Sequence, residues 1–126
     1  MVQVLMVGIG GFIGAILRYG VSGLVHRNVS GSFPLGTLVV NILGCLVIGA
    51  VMYLVEYRQF FTPNVRLFLT IGILGSLTTF STFGYETFAL LRENEIHLAL
   101  ANVALNVIVS LAAVIAGWVA AKSLGI

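Results

Sequence analysis

Four long runs without a charged residue constrain the fold of this chain more than any other feature. Each run is close to the ~20 residues that a helix needs to cross the hydrocarbon core of a membrane. A soluble domain could not cover its surface with so few charges, because 60% of the residues are hydrophobic and only 8% are charged. The sequence therefore predicts an all-α membrane protein with one domain over residues 1–126. The four runs are residues 1–17, 35–55, 67–85 and 98–121.

The breaks between the runs carry helix start and stop signals. The first run has no Lys or Arg ahead of it and no A-x-A-like cleavage site after it, so we interpret it as helix one, continuing to about Val25, and not as a signal peptide. Pro34 stands at the start of helix two, and Thr62 with Pro63 predicts a capped start for helix three. The charged segment 92–95 is short, so sequential helices should be antiparallel neighbours in one compact bundle.

The basic residues do not favour either orientation of the chain in the membrane. With four spans both termini lie on the same side, and the positive-inside rule compares the basic residues near each side. That comparison ends in a tie, which predicts dual topology and an antiparallel homodimer. A tie among so few residues can also be accidental, and that alternative stays open. The terminal side has Arg58, Arg66 and Lys122; the other side has Arg27 and Arg92, with Arg18 leaning toward it.

Uncharged polar residues recur at membrane depth. Asn41 lies in the second run, and the fourth run holds Asn102, Asn106 and Ser110, which are four residues apart and share one helical face. Polar side chains at such depth serve either as hydrogen bonds between helices or as part of a pathway for a solute. For any single residue the first interpretation is the simpler one.

Carboxylates are missing from the middle of the predicted spans. A proton-coupled cation exporter of this size needs a deep acidic residue, and this sequence disfavours one. The two histidines, His26 and His97, lie near the predicted membrane interfaces. The sequence places no nucleophile or metal cluster beside them, so we predict no enzyme. The acidic residues lie toward predicted helix ends or in a loop: Glu56, Glu86, Glu93 and Glu95.

The stretch "GSLTTFSTFG", residues 75–84, is polar without being ionised. Phe80 and Phe83 are three apart and project from one face, with Ser81 and Thr82 in neighbouring directions. Phenylalanine ring edges carry partial positive charge, and hydroxyls donate hydrogen bonds, so this track could hold a small anion without a cation that would trap it. The alternative is that the two rings are simply core.

Glycines and clustered hydroxyls also make helix three a candidate for a break. Gly72 and Gly75 weaken the helix, and each nearby hydroxyl can compete for backbone hydrogen bonds. A break at this depth must be buried in protein or line a cavity. Its free carbonyls could coordinate a cation, and two breaks meeting on a dimer axis would place four carbonyls around one point.

Three stretches together resemble the Fluc (CrcB) family of fluoride channels. They are "GGFIGAILRY" at 10–19, "GTLVVNILG" at 36–44 and "GILGSLTTFSTF" at 72–83. The resemblance covers the whole chain and implies an antiparallel, dual-topology homodimer with two fluoride pores and a central structural sodium ion. The implied partners are fluoride, a second copy of the chain and the lipid membrane, with no nucleic acid. The implied location is a bacterial plasma or inner membrane.

The resemblance also implies roles for particular residues. Helix four is the weaker match, because many members carry tyrosine where this chain has Asn106, so the role of Asn106 in the anion pathway is open. Arg18 resembles the arginine of an anion-attracting vestibule, and the carbonyls of Gly75 and Thr78 resemble sodium ligands. The anion pathway implied is Phe80, Phe83, Asn41, Ser81, Thr82 and Ser110, with Asn106 beside them.

The function expected from the sequence is therefore passive, fluoride-selective conduction. The alternative is a small multidrug-type exporter of dual topology, which should use a mid-membrane carboxylate and show proton-driven substrate uptake. A third possibility is a non-conducting assembly subunit, in which Phe80 and Phe83 would serve pairing and not flux.

Overall fold

The computed structural model describes residues 1–125, which form helices joined by short turns. The predicted domain extends to Ile126, which lies outside the described residues. Within residues 1–125, four helical segments are long and apolar enough to cross a membrane, which confirms the predicted number and positions of the spans. They are Val2–Asn28, Leu35–Arg58, Pro63–Arg92 and Ile96–Ser123.

The first two segments are uninterrupted helices. Helix α1 (Val2–Asn28) ends a few residues beyond the predicted end near Val25. Helix α2 (Leu35–Arg58) begins directly after Pro34, as the sequence predicts. Proline cannot donate a backbone hydrogen bond, so it suits the start of a helix, where that donor has no partner within the helix.

The third segment is assembled from several pieces. Thr62 Oγ1 accepts a hydrogen bond from the Val65 amide at 3.4 Å, and Pro63 is the first helical residue, so the predicted cap is confirmed. The pieces are helix α3 (Pro63–Leu67), a π-helical stretch (Phe68–Leu74), a single turn α4 (Gly75–Leu77) and helix α5 (Phe80–Arg92).

The fourth segment also contains a π-helical stretch. Helix α6 (Ile96–Ala104) leads into the π-helical residues Leu105–Val109, and helix α7 (Ser110–Ser123) completes the segment. The connection before it is residues 93–95, where Asn94 has a φ of 61°. Asparagine tolerates this left-handed conformation better than most residues, which allows the tight reversal between α5 and α6.

Glycines let the backbones of α1 and the third segment approach closely. A Cβ atom placed on Gly10 would lie 2.6 Å from the Phe68 carbonyl oxygen, and one on Gly14 would clash with the Ile73 carbonyl. The opposing residue Gly72 is also crowded, with the Cα of Gly10 2.9 Å from its Cβ position. In lipid, where hydrophobicity supplies little force between helices, such close packing supplies the attraction.

Helices α2 and α7 pack against each other in the same way. A Cβ atom on Gly49 would clash with the Val114 carbonyl, and one on Gly117 would clash with the Leu46 carbonyl. Ala113 and Ala121 lie on the same face of α7 and are buried. The bundle thus has two tight glycine seams, one between α1 and the third segment and one between α2 and α7.

Aromatic and basic residues gather where α2 and α7 end. Lys122 Nζ lies 5.3 Å from the centre of the Trp118 ring, and Tyr57 packs edge-on to the same ring at 5.8 Å. Arg58 donates a hydrogen bond to the Gly125 carbonyl at 2.7 Å. Aromatic rings with basic side chains are typical of the membrane–water interface, which places this end of the bundle at one surface.

Candidate functional site

A cavity of about 330 Å³ lies beside α2, between the third and fourth segments. Of the residues predicted for the anion pathway, α2 contributes one and α5 contributes the two phenylalanines. The π-helical stretch Leu105–Val109 and helix α7 contribute one each. The structure therefore brings together five of the residues predicted for the anion pathway. They are Asn41, Phe80, Phe83, Asn106 and Ser110.

The two phenylalanines differ in burial. Their ring centroids are 5.3 Å apart and the ring planes are tilted by 57°. Phe83 is 8% exposed, whereas Phe80 is 83% exposed on the surface of the single chain. Phe80 therefore contributes little to the packing of its own chain, and its ring is available to whatever lies against this surface.

Two threonines precede α5 with extended backbones. Thr78 has φ −81° and ψ 155°, and Thr79 has φ −151° and ψ 117°. Thr79 is buried, and its Oγ1 caps α5 by accepting a hydrogen bond from the Thr82 amide at 3.2 Å. The same hydroxyl donates to Thr82 Oγ1 at 3.0 Å and lies 3.2 Å from Ser81 Oγ. Helix α5 thus begins inside the segment with its first turn held by hydroxyls.

The same geometry removes the usual partners of two backbone carbonyls. In a continuous helix the Thr79 amide would donate to the Gly75 carbonyl, but it donates to Asn41 Oδ1 at 2.8 Å. The Thr82 amide, which would donate to the Thr78 carbonyl, is bound to Thr79 Oγ1. Both Gly75 and Thr78 also line the cavity. Uncharged carbonyl oxygens of this kind are suitable ligands for a hard cation such as sodium.

The Asn41 side chain joins α2 to both neighbouring segments. Its Oδ1 accepts from the Thr79 amide, and its Nδ2 donates to Asn106 Oδ1 at 2.9 Å and to the Thr79 carbonyl at 3.3 Å. Asn106 in turn donates from Nδ2 to Asn102 Oδ1 at 2.9 Å. Asn106, whose role is open in the sequence, is thus the residue that connects Asn41 to the fourth segment.

Ser110 has a hydroxyl group without a partner. It is 9% exposed, and within residues 1–125 its Oγ atom is buried and makes no hydrogen bond. A buried hydroxyl that forms no hydrogen bond costs about 1–3 kcal/mol. At the wall of a cavity, such a hydroxyl is therefore available to donate a hydrogen bond to a small acceptor bound there.

A second cavity of about 230 Å³ lies on the other side of the Thr78–Thr79 stretch. Arg18 lines it together with Thr37, Thr79 and Thr82. A third, of about 450 Å³, shares Thr37 and Thr82 with it and extends to Glu86. Arg18 therefore lines a polar space that is separate from the first cavity, and Thr79 lines both.

Two predicted residues are placed differently from the first five. Thr82 lines the second and third cavities, and Ser81 lines none of the three cavities described here. Ser81 is exposed on α5, with Thr79 as its hydrogen-bond partner. The sequence groups both residues with the phenylalanines, whereas the structure distributes them along the face of α5.

Sequence reasoning missed several polar partners. Glu86, which the sequence places toward a helix end, accepts a hydrogen bond from Thr37 Oγ1 at 2.7 Å. Asn102, noticed only as part of a face, is 0% exposed and donates to Thr87 Oγ1 at 2.9 Å. The four-residue spacing of Asn102 and Asn106 was the available signal. The pairing with Thr87 on another helix left no trace in the sequence.

Comparison with known proteins gives one consistent result. A family profile described as "CrcB-like protein, Camphor Resistance (CrcB)" matches residues 5–118. The chain is 49% identical over 124 residues to "Fluoride-specific ion channel FluC 1" of Methanosarcina acetivorans, covering 98% of this chain and 94% of that protein. It is 48% identical over 120 residues to "Fluoride-specific ion channel FluC" of Clostridium perfringens, covering 95% and 94% respectively.

Proposed function

The chain belongs to the CrcB family, whose relatives named above are fluoride channels and not enzymes, and we propose that it is a passive, fluoride-selective channel exporting cytoplasmic fluoride. It is a multi-pass membrane protein, so conduction across a bilayer fits its fold. The observation that carries the proposal is the unpartnered Ser110 hydroxyl in a cavity walled by the Phe80 and Phe83 rings.

The chemistry of the first cavity suits a small anion that must leave again. Ring edges carry partial positive charge, and the Ser110 hydroxyl and the Asn41 amide are neutral donors. The lining residues among residues 1–125 include no lysine or arginine, so a bound anion would meet no full positive charge that holds it in place. Conduction requires binding that is strong enough for entry and weak enough for release.

The second cavity supplies the attraction that the first lacks. Arg18 is half-buried there, among the hydroxyls of Thr37, Thr79 and Thr82. A guanidinium in a polar space raises the local concentration of anions, so we assign this cavity the role of vestibule. Thr82 and Ser81 then serve as hydroxyl donors along the exposed face of α5.

The membrane potential is sufficient to drive export. Moving one anion out across ~100 mV, inside negative, is favourable by about 2.3 kcal/mol. That free energy corresponds to a concentration ratio of roughly 50-fold. Fluoride that enters as uncharged HF and dissociates in the cytoplasm can therefore leave through a channel without coupling to a pump.

We assign the working unit to an antiparallel homodimer of dual topology with two pores. The proposal is supported by the balanced basic residues and by the exposed Phe80 ring, which a second chain would cover. In such a dimer the break at Thr78 and Thr79 would lie near the axis. The carbonyls of Gly75 and Thr78 from each chain would hold sodium, which supplies a fixed positive charge and a link between the two chains.

Dual topology can be tested with a single accessible cysteine. In a Cys45→Ser background, Ser30→Cys in the connection after α1 should be labelled by a membrane-impermeant maleimide from each side of the membrane in about equal amounts, because the basic residues are balanced. Ser32→Lys adds a positive charge to that connection and should shift the labelling toward one side. Labelling of the unaltered connection from one side only would contradict the proposal.

The function is tested by anion efflux from liposomes that contain the purified protein. With a potassium ionophore holding the voltage, we expect rapid loss of fluoride and retention of chloride, because a narrow dehydrating site favours the ion that accepts the stronger hydrogen bonds. Fluoride and chloride are each measured with their own ion-selective electrode in parallel samples. Chloride loss at a comparable rate would contradict selectivity, and retention of both ions by assembled protein would contradict the channel.

A further inference from the structure

A chain of side-chain hydrogen bonds runs from α5 through the fourth segment to α2. Asn102 Nδ2 donates to Thr87 Oγ1 at 2.9 Å. Asn106 Nδ2 donates to Asn102 Oδ1 at 2.9 Å, and Asn41 Nδ2 donates to Asn106 Oδ1 at 2.9 Å. Thr87, Asn102, Asn106 and Asn41 thus form a continuous series, which we call the amide relay.

Backbone groups fix the direction of the amide relay at both ends. At one end the Phe83 carbonyl can only accept, and the Thr87 hydroxyl donates to it with an Oγ1–O distance of 2.8 Å. Thr87 Oγ1 can therefore act only as an acceptor for Asn102. At the other end the Thr79 amide can only donate, so Asn41 must turn its Oδ1 toward it. Every carboxamide between these ends therefore has one orientation that satisfies all of its neighbours.

The orientation of Asn41 matters for an anion. One of its N–H groups is held by Asn106, and the other reaches the Thr79 carbonyl at 3.3 Å, longer than the usual 2.9–3.0 Å. The longer bond is the weaker one, so an anion in the first cavity can take that N–H at little cost.

We propose that Thr87 and Asn102 are positioning residues for conduction, which hold Asn106 so that its Oδ1 binds one N–H of Asn41 and leaves the other for fluoride. This inference rests on the proposed function. Asn102 is 0% exposed, so the acceptor that Thr87 provides cannot be replaced by bulk water. Without that acceptor, the Asn102 amide is free to turn its Nδ2 toward Asn106, which then keeps only the Asn102 backbone carbonyl, at 3.1 Å, as its acceptor. Asn106 is then held less firmly, and so is the Asn41 N–H that it binds, while the Thr79 amide still holds Asn41 Oδ1.

The test compares Thr87→Val with Thr87→Ser in the fluoride efflux assay, using full-length protein whose assembly is checked by gel filtration. Valine keeps the shape but not the hydroxyl, and we expect efflux to fall by roughly tenfold, the effect of one lost buried hydrogen bond. Serine keeps the hydroxyl and should restore the rate. Thr87→Ala, which removes the hydroxyl together with the methyl group, should match valine and serves if valine prevents assembly.

A double variant separates the amide relay from general packing. Asn102→Ala should lower efflux as much as Thr87→Val, and the two together should be no worse than either alone, because both remove the same control over Asn41. Ser123→Ala, which removes a hydroxyl bonded only to a nearby carbonyl, should conduct normally. Normal efflux by Thr87→Val, or a Thr87→Ser variant as slow as Thr87→Val, would overturn the inference. Failure of the unaltered protein to pass fluoride would instead overturn the proposed function.

Discussion

Replacing Phe80 or Phe83 with isoleucine is expected to lower fluoride efflux by about tenfold or more while the chains still fold and pair. Isoleucine is apolar and bulky, but it has no ring edge with partial positive charge, so it can fill space without attracting an anion. Phe80 is 83% exposed in the single chain, so its replacement should not disturb the packing within that chain. The measurements are initial efflux from voltage-clamped liposomes and elution volume on gel filtration.

Phe88 provides the matched control for both rings. It lies on the same helix α5, is 58% exposed and does not line the first cavity. Phe88→Ile should therefore conduct at the rate of the unaltered protein. If Phe80→Ile and Phe83→Ile assemble and conduct at that rate too, the rings are packing elements; if they fail to assemble, the rings serve pairing as in a non-conducting subunit.

Adding a single methyl group to Gly117 is expected to disrupt the bundle itself. The Cβ atom of Gly117→Ala would clash with the Leu46 carbonyl, and the next backbone nitrogen, that of Ala50, lies 3.1 Å from the same position. Backbone atoms cannot turn aside as a flexible side chain can, so α2 and α7 must separate. Overpacking of this kind costs about 1–3 kcal/mol, which should reduce the yield of folded protein and its midpoint of thermal unfolding in detergent.

Gly8 supplies the comparison for that experiment. It lies on α1, and nothing is within 4 Å of the position that its Cβ would occupy. Gly8→Ala should be as stable as the unaltered protein, or slightly more stable, because alanine favours a helix over glycine. Equal unfolding midpoints for Gly117→Ala and Gly8→Ala would contradict the close backbone contact between α2 and α7.

The spans could be predicted because their signals are local. Charged residues are costly in the hydrocarbon core, so they lie toward the segment ends, and Pro34, Thr62 and Pro63 act on the backbone within one turn. Each of these residues carries its effect whatever the rest of the chain does. The structure places all of them where the sequence predicts.

The interior of the spans could not be predicted in the same way. The π-helical stretches Phe68–Leu74 and Leu105–Val109 have no marker residue, and a π-helical turn is set by what the segment packs against. Asn41 and Asn106 are 65 residues apart in the chain, so no sequence spacing indicates their hydrogen bond. The sequence indicates which polar side chains lie at depth, and the fold decides which of them are partners.

The three carboxamides that follow one another in the amide relay have a consequence for the proton gradient across the membrane. A proton wire needs groups that accept a proton on one side and release another on the opposite side, as hydroxyls and water do. The side chains of Asn41, Asn102 and Asn106 bond to one another and do not ionise near neutral pH. The amide relay can therefore connect polar groups through the bundle without conducting protons. A path for fluoride beside it need not dissipate the proton gradient.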